Sequence, residues 1–292
     1  MKRPDQSPQY IQEYDAYNEC LSFAGWQEHV VQTCVRVQRE TGARVLYIDE
    51  IGATDGRWIC HATDHGHNAP EIPYAGEVAL LRRIRAAVGP EVALYTEYAP
   101  AEVSRQYLDG SISYQALWSA DMEPLAPHFI DLPRFVFPDF KQFHIIHYVG
   151  TRAGNWWLHK FPFFNGAVFR IGEPNLPGMD AASLAFLKQA VQVQCEHRAA
   201  FASHQVTPLV PTLQAGVFAN LFSAPTERVW TLYNANGRGV RGGLLRVPHT
   251  AGARYADAWN GLPLQPAIRD GLAEIALDLG PKAIGCVVQM EP

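Results

Sequence analysis

Cysteine is scarce in this sequence and is not arranged as a covalent framework. The five cysteines are odd in number, widely spaced and form no Cys-x-x-Cys pair. This pattern argues against a disulfide scaffold and against a zinc ribbon, and it favours reduced thiols. The cysteines are Cys20, Cys34, Cys60, Cys195 and Cys286.

Long apolar runs and basic clusters are also missing. No stretch reaches the roughly 18 to 20 apolar residues that span a bilayer, and the opening MKRPDQSPQYIQEYD lacks the apolar core of a signal peptide. The net charge is -5 without a long Lys/Arg run, so the electrostatic footprint of a nucleic-acid or membrane partner is absent. The chain as given is expected to be soluble, in a compartment that the sequence leaves open. A neutral or polar small substrate and no cofactor are expected.

The first part of the chain repeats an order of helix, glycine and strand. A helix is predicted over 26–41 and ends at Gly42, before the strand ARVLYIDEIG. A second helix, YAGEVALLRRIRAAV, ends at Gly89 and precedes the strand EVALYTEYAP. This order is typical of a parallel sheet with crossover helices.

In the rest of the chain, the predicted order of helices and strands changes. The segments RFVFPDF, FHIIHYV and GAVFRIGEP are predicted to be further strands or strand ends, followed by a long helix from about Asp180 to Ser203. Beyond QVTPLVPTLQ, strands alternate with turn signals, which predicts an antiparallel β-sandwich. Two domains are therefore predicted, a catalytic domain over 1–207 and a sandwich over 208–292. The residues expected on the inward face of the long helix are Leu184, Leu187, Val191 and Cys195.

Two predicted strands end in matching acidic patterns, Leu46-Tyr47-Ile48-Asp49 and Leu94-Tyr95-Thr96-Glu97. In a parallel barrel, both acids would reach the carboxyl ends of neighbouring strands, where active sites of this fold are built. A retaining glycosidase needs such a pair about 5 to 5.5 Å apart, one ionised and one protonated. Asp49 is therefore predicted to be the nucleophile and Glu97 the acid/base. The alternative is that both are helix N-caps or solvated loop charges.

The segment from Cys60 to His67 offers sulfur, nitrogen and oxygen donors. Three interpretations remain open: substrate binding by His65 and His67, a purely structural loop, or a metal site that includes Cys60. The sequence shows no second ligand cluster at a typical spacing, so no metal is predicted.

Further polar residues lie near predicted strand ends. Glu50, Asp139 and Arg170 are expected to contact substrate hydroxyl groups, and Glu50 is also the reserve nucleophile. A cap or a salt bridge would explain each of them equally well. His144, in an apolar stretch, is predicted to be a core histidine, and the Trp156-Trp157 pair is either a sugar-stacking platform or a loop anchor.

The run Tyr47-Ile48-Asp49-Glu50-Ile51-Gly52, followed by Cys60 and His65-Gly66-His67, resembles an uncharacterised group of glycoside-hydrolase-like barrels. That group is distantly related to α-galactosidase and α-amylase type enzymes. The segment Asp257-Ala258-Trp259-Asn260-Gly261 resembles the domain that follows such barrels. The resemblance covers about residues 18–290.

The resemblance implies an α/β fold, namely the C-terminal part of a TIM (β/α)8 barrel, about strands 4 to 8, followed by an all-β antiparallel sandwich. It implies cleavage of an α-linked glycoside. The family's nucleophile after the fourth barrel strand falls on Asp49, and its acid/base after the fifth falls on Glu97.

The same comparison implies that the first three barrel strands are absent from this chain. Either the natural protein continues upstream, or the sequence is a fragment, or another chain closes the barrel. Because a half-barrel leaves an unpaired strand edge, the chain alone is not expected to be active. Two other functions stay open: a non-catalytic carbohydrate-binding or regulatory homologue, and a metal-dependent hydrolase centred on Cys60, His65 and His67.

Overall fold

The computed structural model describes residues 1–12, 14–49, 51, 59–72, 74–98, 100–113, 130–147, 157–171 and 180–292. The chain divides into two compact units, Met1–Ser113 and Tyr114–Pro292. The predicted domain boundary at 207/208 stays a prediction.

The first unit holds a short hairpin and three parallel strands that alternate with helices. Its elements are β1 (Tyr10–Ile11), β2 (Ala16–Tyr17), α1 (Ala24–Thr41), β3 (Val45–Ile48), α2 (Tyr74–Val88), β4 (Ala93–Thr96), α3 (Glu102–Arg105) and β5 (Gly110–Ser113). The parallel strands lie in the order β3-β4-β5. Gly42 and Gly89 follow the two long helices with positive φ angles of 69° and 81°, as helix-ending glycines do. The predicted helix–glycine–strand repeat is confirmed.

Helix α2 contributes more buried residues to the first unit than α1 does. Leu80, Leu81 and Ile84 of α2 are fully buried, whereas the one buried residue of α1 is Gln27. The sequence analysis missed β5, because its residues Gly-Ser-Ile-Ser are small and mostly polar. All four are nevertheless buried, so tertiary packing decides this strand.

The second unit begins with helices and two parallel strands. These elements are α4 (Leu132–Val136), β6 (Lys141–His147), α5 (Trp157–Phe164), β7 (Val168–Ile171), α6 (Ala181–Glu196) and α7 (Arg198–Phe201). Strands β6 and β7 pair in parallel. Among the described residues, no helix combines the length and the apolarity that crossing a bilayer requires.

Two predictions of secondary structure in this unit are wrong. The segment RFVFPDF is not a strand, because its first residues belong to α4. Pro133 lies in the first turn of this helix, where a backbone N–H has no partner within the helix and its loss costs nothing. The predicted long helix is interrupted at His197 and forms α6 and α7.

The inward face of α6 also differs from the prediction. Leu187 is buried as expected, but Leu184 and Val191 are each 41% exposed and Cys195 is exposed. The buried residues are Ser183, Leu187, Ala190 and Val193. Leu187 belongs to both stripes, so the helical period alone allowed either face.

Two antiparallel sheets form the predicted β domain. The strands are β8 (Gln205–Thr207), β9 (Val217–Ala224), β10 (Glu227–Asn234), β11 (Val240–Pro248), β12 (Arg254–Asp257), β13 (Leu262–Leu264), β14 (Ala267–Arg269), β15 (Leu272–Leu279) and β16 (Ile284–Met290). The larger sheet has the order β13-β12-β16-β10-β9-β8 and the smaller sheet β11-β15-β14. One core lies between the sheets and includes Trp230 and Ile275.

A second core covers the other face of the larger sheet. There, Phe161 and Phe164 of α5 pack with Phe222 of β9 and Tyr233 of β10. The larger sheet is therefore buried on both faces. This explains why β10 is buried almost continuously, whereas β15 alternates between buried and exposed residues.

Candidate functional site

The two predicted catalytic acids follow neighbouring strands. Strands β3 and β4 pair in parallel, and the last pair in register is Ile48 with Thr96. Asp49 directly follows β3 and Glu97 directly follows β4. Both acids therefore lie at the carboxyl ends of the two paired strands. The adjacency of the two strands agrees with the sequence analysis.

The two faces of this strand pair differ in exposure. Leu46 and Leu94 pair on a buried face, while Tyr47, opposite Tyr95, is 44% exposed. The hydroxyl of Tyr47 donates a hydrogen bond of 2.7 Å to Oδ1 of Asp49. Asp49 therefore continues the more open face of β3, as the alternation of strand side chains predicts.

The surroundings of the two carboxyl groups are unequal. Asp49 is exposed and bonded to a hydroxyl, whereas Glu97 is only 9% exposed. In the same strand, burial raises the pKa of Tyr95, with a smaller contribution from the negative charge of Asp109. This end of β4 is thus a more enclosed environment than the end of β3.

An arginine of α2 holds β4 in place. Nη1 of Arg85 donates to the carbonyl oxygen of Val92 at 2.7 Å, and Nη2 bonds to Oδ2 of Asp109. The same carboxylate oxygen accepts from the backbone N–H of Leu94 at 2.7 Å. These bonds hold the amino-terminal half of β4 in position, on the side of the strand away from Glu97.

The predicted substrate-binding residues have varied surroundings. Asp139 is exposed and lies 2.6 Å from Nε2 of His204, which matches the salt-bridge alternative. Arg170 lies in β7, in register with Ile145 of β6. Glu50 lies outside the described residues. The substrate-binding roles of Glu50, Asp139 and Arg170 stay predictions.

His144 has the surroundings of a core histidine. Its side chain is fully buried, and its Nε2 atom lies 2.8 Å from Oδ2 of the equally buried Asp131. The Trp156-Trp157 hypothesis concerns side chains that lie outside the described part of the structure.

The predicted loop histidines meet two cysteines. One donor atom each from Cys20, Cys60, His65 and His67 lies within 4.8 Å of all the others. Nε2 of His67 is 3.4 Å from the sulfur of Cys20, and Nδ1 of His65 is 3.5 Å from the sulfur of Cys60. All five cysteines of the chain lie in the described ranges and are free thiols. The substrate-binding role of the two histidines stays a prediction.

The sequence analysis missed Cys20, which lies forty residues before Cys60. No short spacing marks it as a partner, because it reaches the cluster through tertiary structure. Its burial beside Cys60 in a small core with Met1 and Ala62 is the signal that only the fold supplies.

The two clustered thiols ionise differently. Burial raises the pKa of Cys20 to about 11. Burial also opposes ionisation of Cys60, but hydrogen bonds from the backbone of Ala62 and Lys2 and from His67 outweigh it, so the pKa of Cys60 is lowered. Cys60 is therefore the more readily ionised of the pair.

The clustered imidazoles also differ. Burial lowers the pKa of His65. Burial acts in the same direction on His67, but its hydrogen bonds with Asn68 and Cys60 and the charge of Glu71 give a net rise in its pKa.

Comparison with known proteins gives a likeness in structure alone. No known protein-family profile matches the sequence, and no curated protein matches it. The noncanonic maltogenic α-amylase AmyB from Thermotoga neapolitana matches with a TM-score of 0.64 and 9% identity, over 100% of this chain and 72% of that one. The Anoxybacillus α-amylase matches with a TM-score of 0.59 and 10% identity, over 96% and 66%.

A debranching enzyme from Nostoc punctiforme is similar at a TM-score of 0.55 and 11% identity, over 98% of this chain and 67% of that one. The chain thus spans about two thirds to three quarters of the length of these structures. At such low identity the likeness establishes the fold and not the activity. The chain has the fold of a partial α-amylase-type barrel followed by an antiparallel β domain, as its resemblance to glycoside-hydrolase-like barrels implied.

Proposed function

We propose that this chain is a glycoside hydrolase that cleaves an α-linked glycoside with retention of configuration. Asp49 is the nucleophile and Glu97 is the acid/base. The observation that carries this proposal is the parallel register of β3 and β4, which ends at Ile48 and Thr96 directly before the two acids. The α-amylase-type fold supports the same conclusion, because active sites of (β/α) barrels lie at the carboxyl ends of their strands.

The reaction uses both carboxyl groups twice. The Asp49 carboxylate attacks the anomeric carbon while Glu97 gives its proton to the leaving glycosidic oxygen, so one C–O bond forms as another breaks. Glu97 then takes a proton from water, which attacks the same carbon and releases Asp49. The net result is hydrolysis, with both carboxyl groups restored.

The surroundings of the two acids suit these roles. Asp49 is exposed and accepts a hydrogen bond from Tyr47, which orients its carboxyl group at the end of β3. Glu97 is almost buried, so its carboxyl group is largely shielded from water. Neighbouring strands lie about 4.8 Å apart, which is compatible with the separation of about 5 to 5.5 Å in retaining enzymes.

The proposal includes completion of the barrel. Among the described residues, β3 pairs with β4 and with no other strand, so its second edge is open. We infer that an upstream segment or another chain covers this edge, and that the chain alone has little or no activity. In the completed barrel, we propose that five further residues contact the sugar, namely Glu50, Asp139, Arg170, His65 and His67.

The test is a set of matched carboxylate-to-amide variants assayed on aryl and alkyl α-glycosides. Asp49→Asn and Glu97→Gln should each lose roughly 100- to 10,000-fold in kcat. Glu97→Gln should lose more on alkyl than on aryl glycosides, because an aryl leaving group needs less help from an acid. The control is Glu91→Gln, which changes an exposed carboxylate beside the start of β4 and should keep wild-type rates.

The assays should include any longer product of the same gene. Full turnover in both Asp49→Asn and Glu97→Gln would exclude the mechanism. Binding of α-glucan oligosaccharides without turnover in any form would favour the non-catalytic homologue instead.

A further inference from the structure

We propose that Cys20, Cys60, His65 and His67 bind one Zn²⁺ ion in a closed, tetrahedral site with a structural role. The site uses neither Asp49 nor Glu97, so the proposed glycosidase chemistry does not depend on it. As zinc ligands, however, His65 and His67 would not contact the sugar, and this role would replace the one proposed for them above. Two thiolates and two imidazoles are a common donor set of structural zinc.

The spacing of the donor atoms fits a zinc ion. With Zn–S bonds of about 2.3 Å and Zn–N bonds of about 2.0 Å, the edges of the coordination tetrahedron are about 3.3 to 3.8 Å. Two of the four sulfur–nitrogen distances are 3.4 Å and 3.5 Å, and all four donor atoms lie within 4.8 Å of one another. Each of the two sulfur–nitrogen contacts alone could be a thiol–imidazole hydrogen bond. Because all four donor atoms lie close to one another, however, one cation can bind all of them.

Groups around the donors hold them in ligating form. Nδ1 of His67 lies 3.2 Å from the carbonyl oxygen of Asn68 and 2.9 Å from Oε2 of Glu71, so the proton belongs on Nδ1 and the lone pair of Nε2 faces Cys20. The Glu71 carboxylate is itself oriented by the hydroxyl of Ser22 at 3.0 Å. A carboxylate or carbonyl behind a histidine is the usual outer partner of a zinc ligand.

The sulfur of Cys60 is also prepared for a metal. The backbone of Ala62 and Lys2 hydrogen-bonds this sulfur and helps to hold it in position. Cys20 and Cys60 are both buried, so a doubly charged cation bound there would balance the charge of the two sulfur ligands.

Four protein ligands leave no open position for water or substrate, so the ion would be structural and not catalytic. It would join the segment before α1 to the segment before α2, across forty residues of chain. Because such a site forms only in the folded chain, the free energy of zinc binding adds to the stability of the first unit.

The first test measures zinc in protein purified without a histidine tag, by mass spectrometry of the metal content. About one zinc per chain is expected, and Cys60→Ser or His67→Gln should lose nearly all of it. Cys34→Ser and Cys195→Ser are matched controls, because these thiols lie outside the cluster, and both should keep the ion. Chelation should lower the Tm of the wild type and leave that of Cys60→Ser unchanged.

X-ray absorption at the zinc edge of the wild type provides a readout that does not depend on whether variants fold. It should show two sulfur ligands at about 2.3 Å and two nitrogen ligands at about 2.0 Å. Protein without stoichiometric zinc that takes up none when Zn²⁺ is added, zinc with only nitrogen and oxygen ligands, or a Cys20–Cys60 disulfide would each overturn the proposal. A zinc-free chain with glycosidase activity would leave the proposed function intact, and a zinc-loaded chain without activity would leave the metal site intact.

Discussion

Asp49 and Glu97 show how residue type and position together suggest chemistry. Alternation along a strand places Tyr47 beside Asp49, and the structure confirms that contact. The unequal exposure of the two acids could not be predicted, because it depends on neighbours that are distant in sequence. Cys20 illustrates the same limit, since its partners Cys60, His65 and His67 follow forty or more residues later.

The hydroxyl of Tyr47 is expected to assist the nucleophile. Tyr47→Phe removes the 2.7 Å hydrogen bond to Asp49 and should lower kcat/KM about 3- to 10-fold, a modest loss because the pair is partly solvated. Steady-state kinetics on aryl α-glycosides measures this change. The control is Tyr17→Phe, an exposed tyrosine of β2, and equal rates in both variants would argue against the assignment.

At the scale of elements, helical and strand periods predicted most of the local structure. Helices α1 and α2 and strands β3 and β4 lie where the pattern of apolar residues and glycines placed them. The misassigned segment RFVFPDF contains β-favouring residues, yet Pro133 and burial of Arg134 fit a helical turn. Here the tertiary contacts of Arg134, which bonds to the carbonyl oxygens of Gly166 and Phe201, outweigh intrinsic propensity.

Gly76 tests how α2 meets the segment after Cys20. A Cβ atom at Gly76 would lie 2.5 Å from the backbone nitrogen of Ser22 and 2.6 Å from the carbonyl carbon of Leu21. Gly76→Ala should therefore destabilise the protein by about 1 to 3 kcal/mol, although alanine is normally the better helix former.

The matched variant is Gly25→Ala in α1, where the three atoms nearest to the new Cβ all belong to the ring of Phe23, a side chain that can move. It should be neutral or slightly stabilising by thermal denaturation. Equal stability of the Gly76→Ala variant and the wild type would mean that α2 does not pack closely on this segment.

At the scale of the whole molecule, the repeating helix–strand order and the alternating C-terminal strands predicted the fold class. The division into the units Met1–Ser113 and Tyr114–Pro292 was not predicted. A physical reason lies in the second unit, where α5 supplies phenylalanines to the core on the outer face of the larger sheet. The periodicity of apolar residues along the sequence shows where helices give way to strands, but it does not show which elements share a core.

The open edge of β3 should make the isolated chain prone to association. Val45 and Tyr47 are 58% and 44% exposed, and an exposed apolar edge strand invites pairing with another chain. Light scattering should show a mass that rises with concentration, and Val45→Lys should suppress this rise. Val191→Lys, on the exposed side of α6, is the control and should behave as the wild type does. A wild type that is monomeric at every concentration would argue against an incomplete sheet.

The proposed mechanism requires that Asp49 form a covalent bond to the sugar. The most direct measurement treats the protein with an activated fluorosugar of α configuration, which slows release of the intermediate, and locates the label by peptide mass spectrometry. We expect one glycosyl group on the peptide that carries Asp49, and none in Asp49→Asn. A label on another residue, or hydrolysis with inversion and no label, would contradict it.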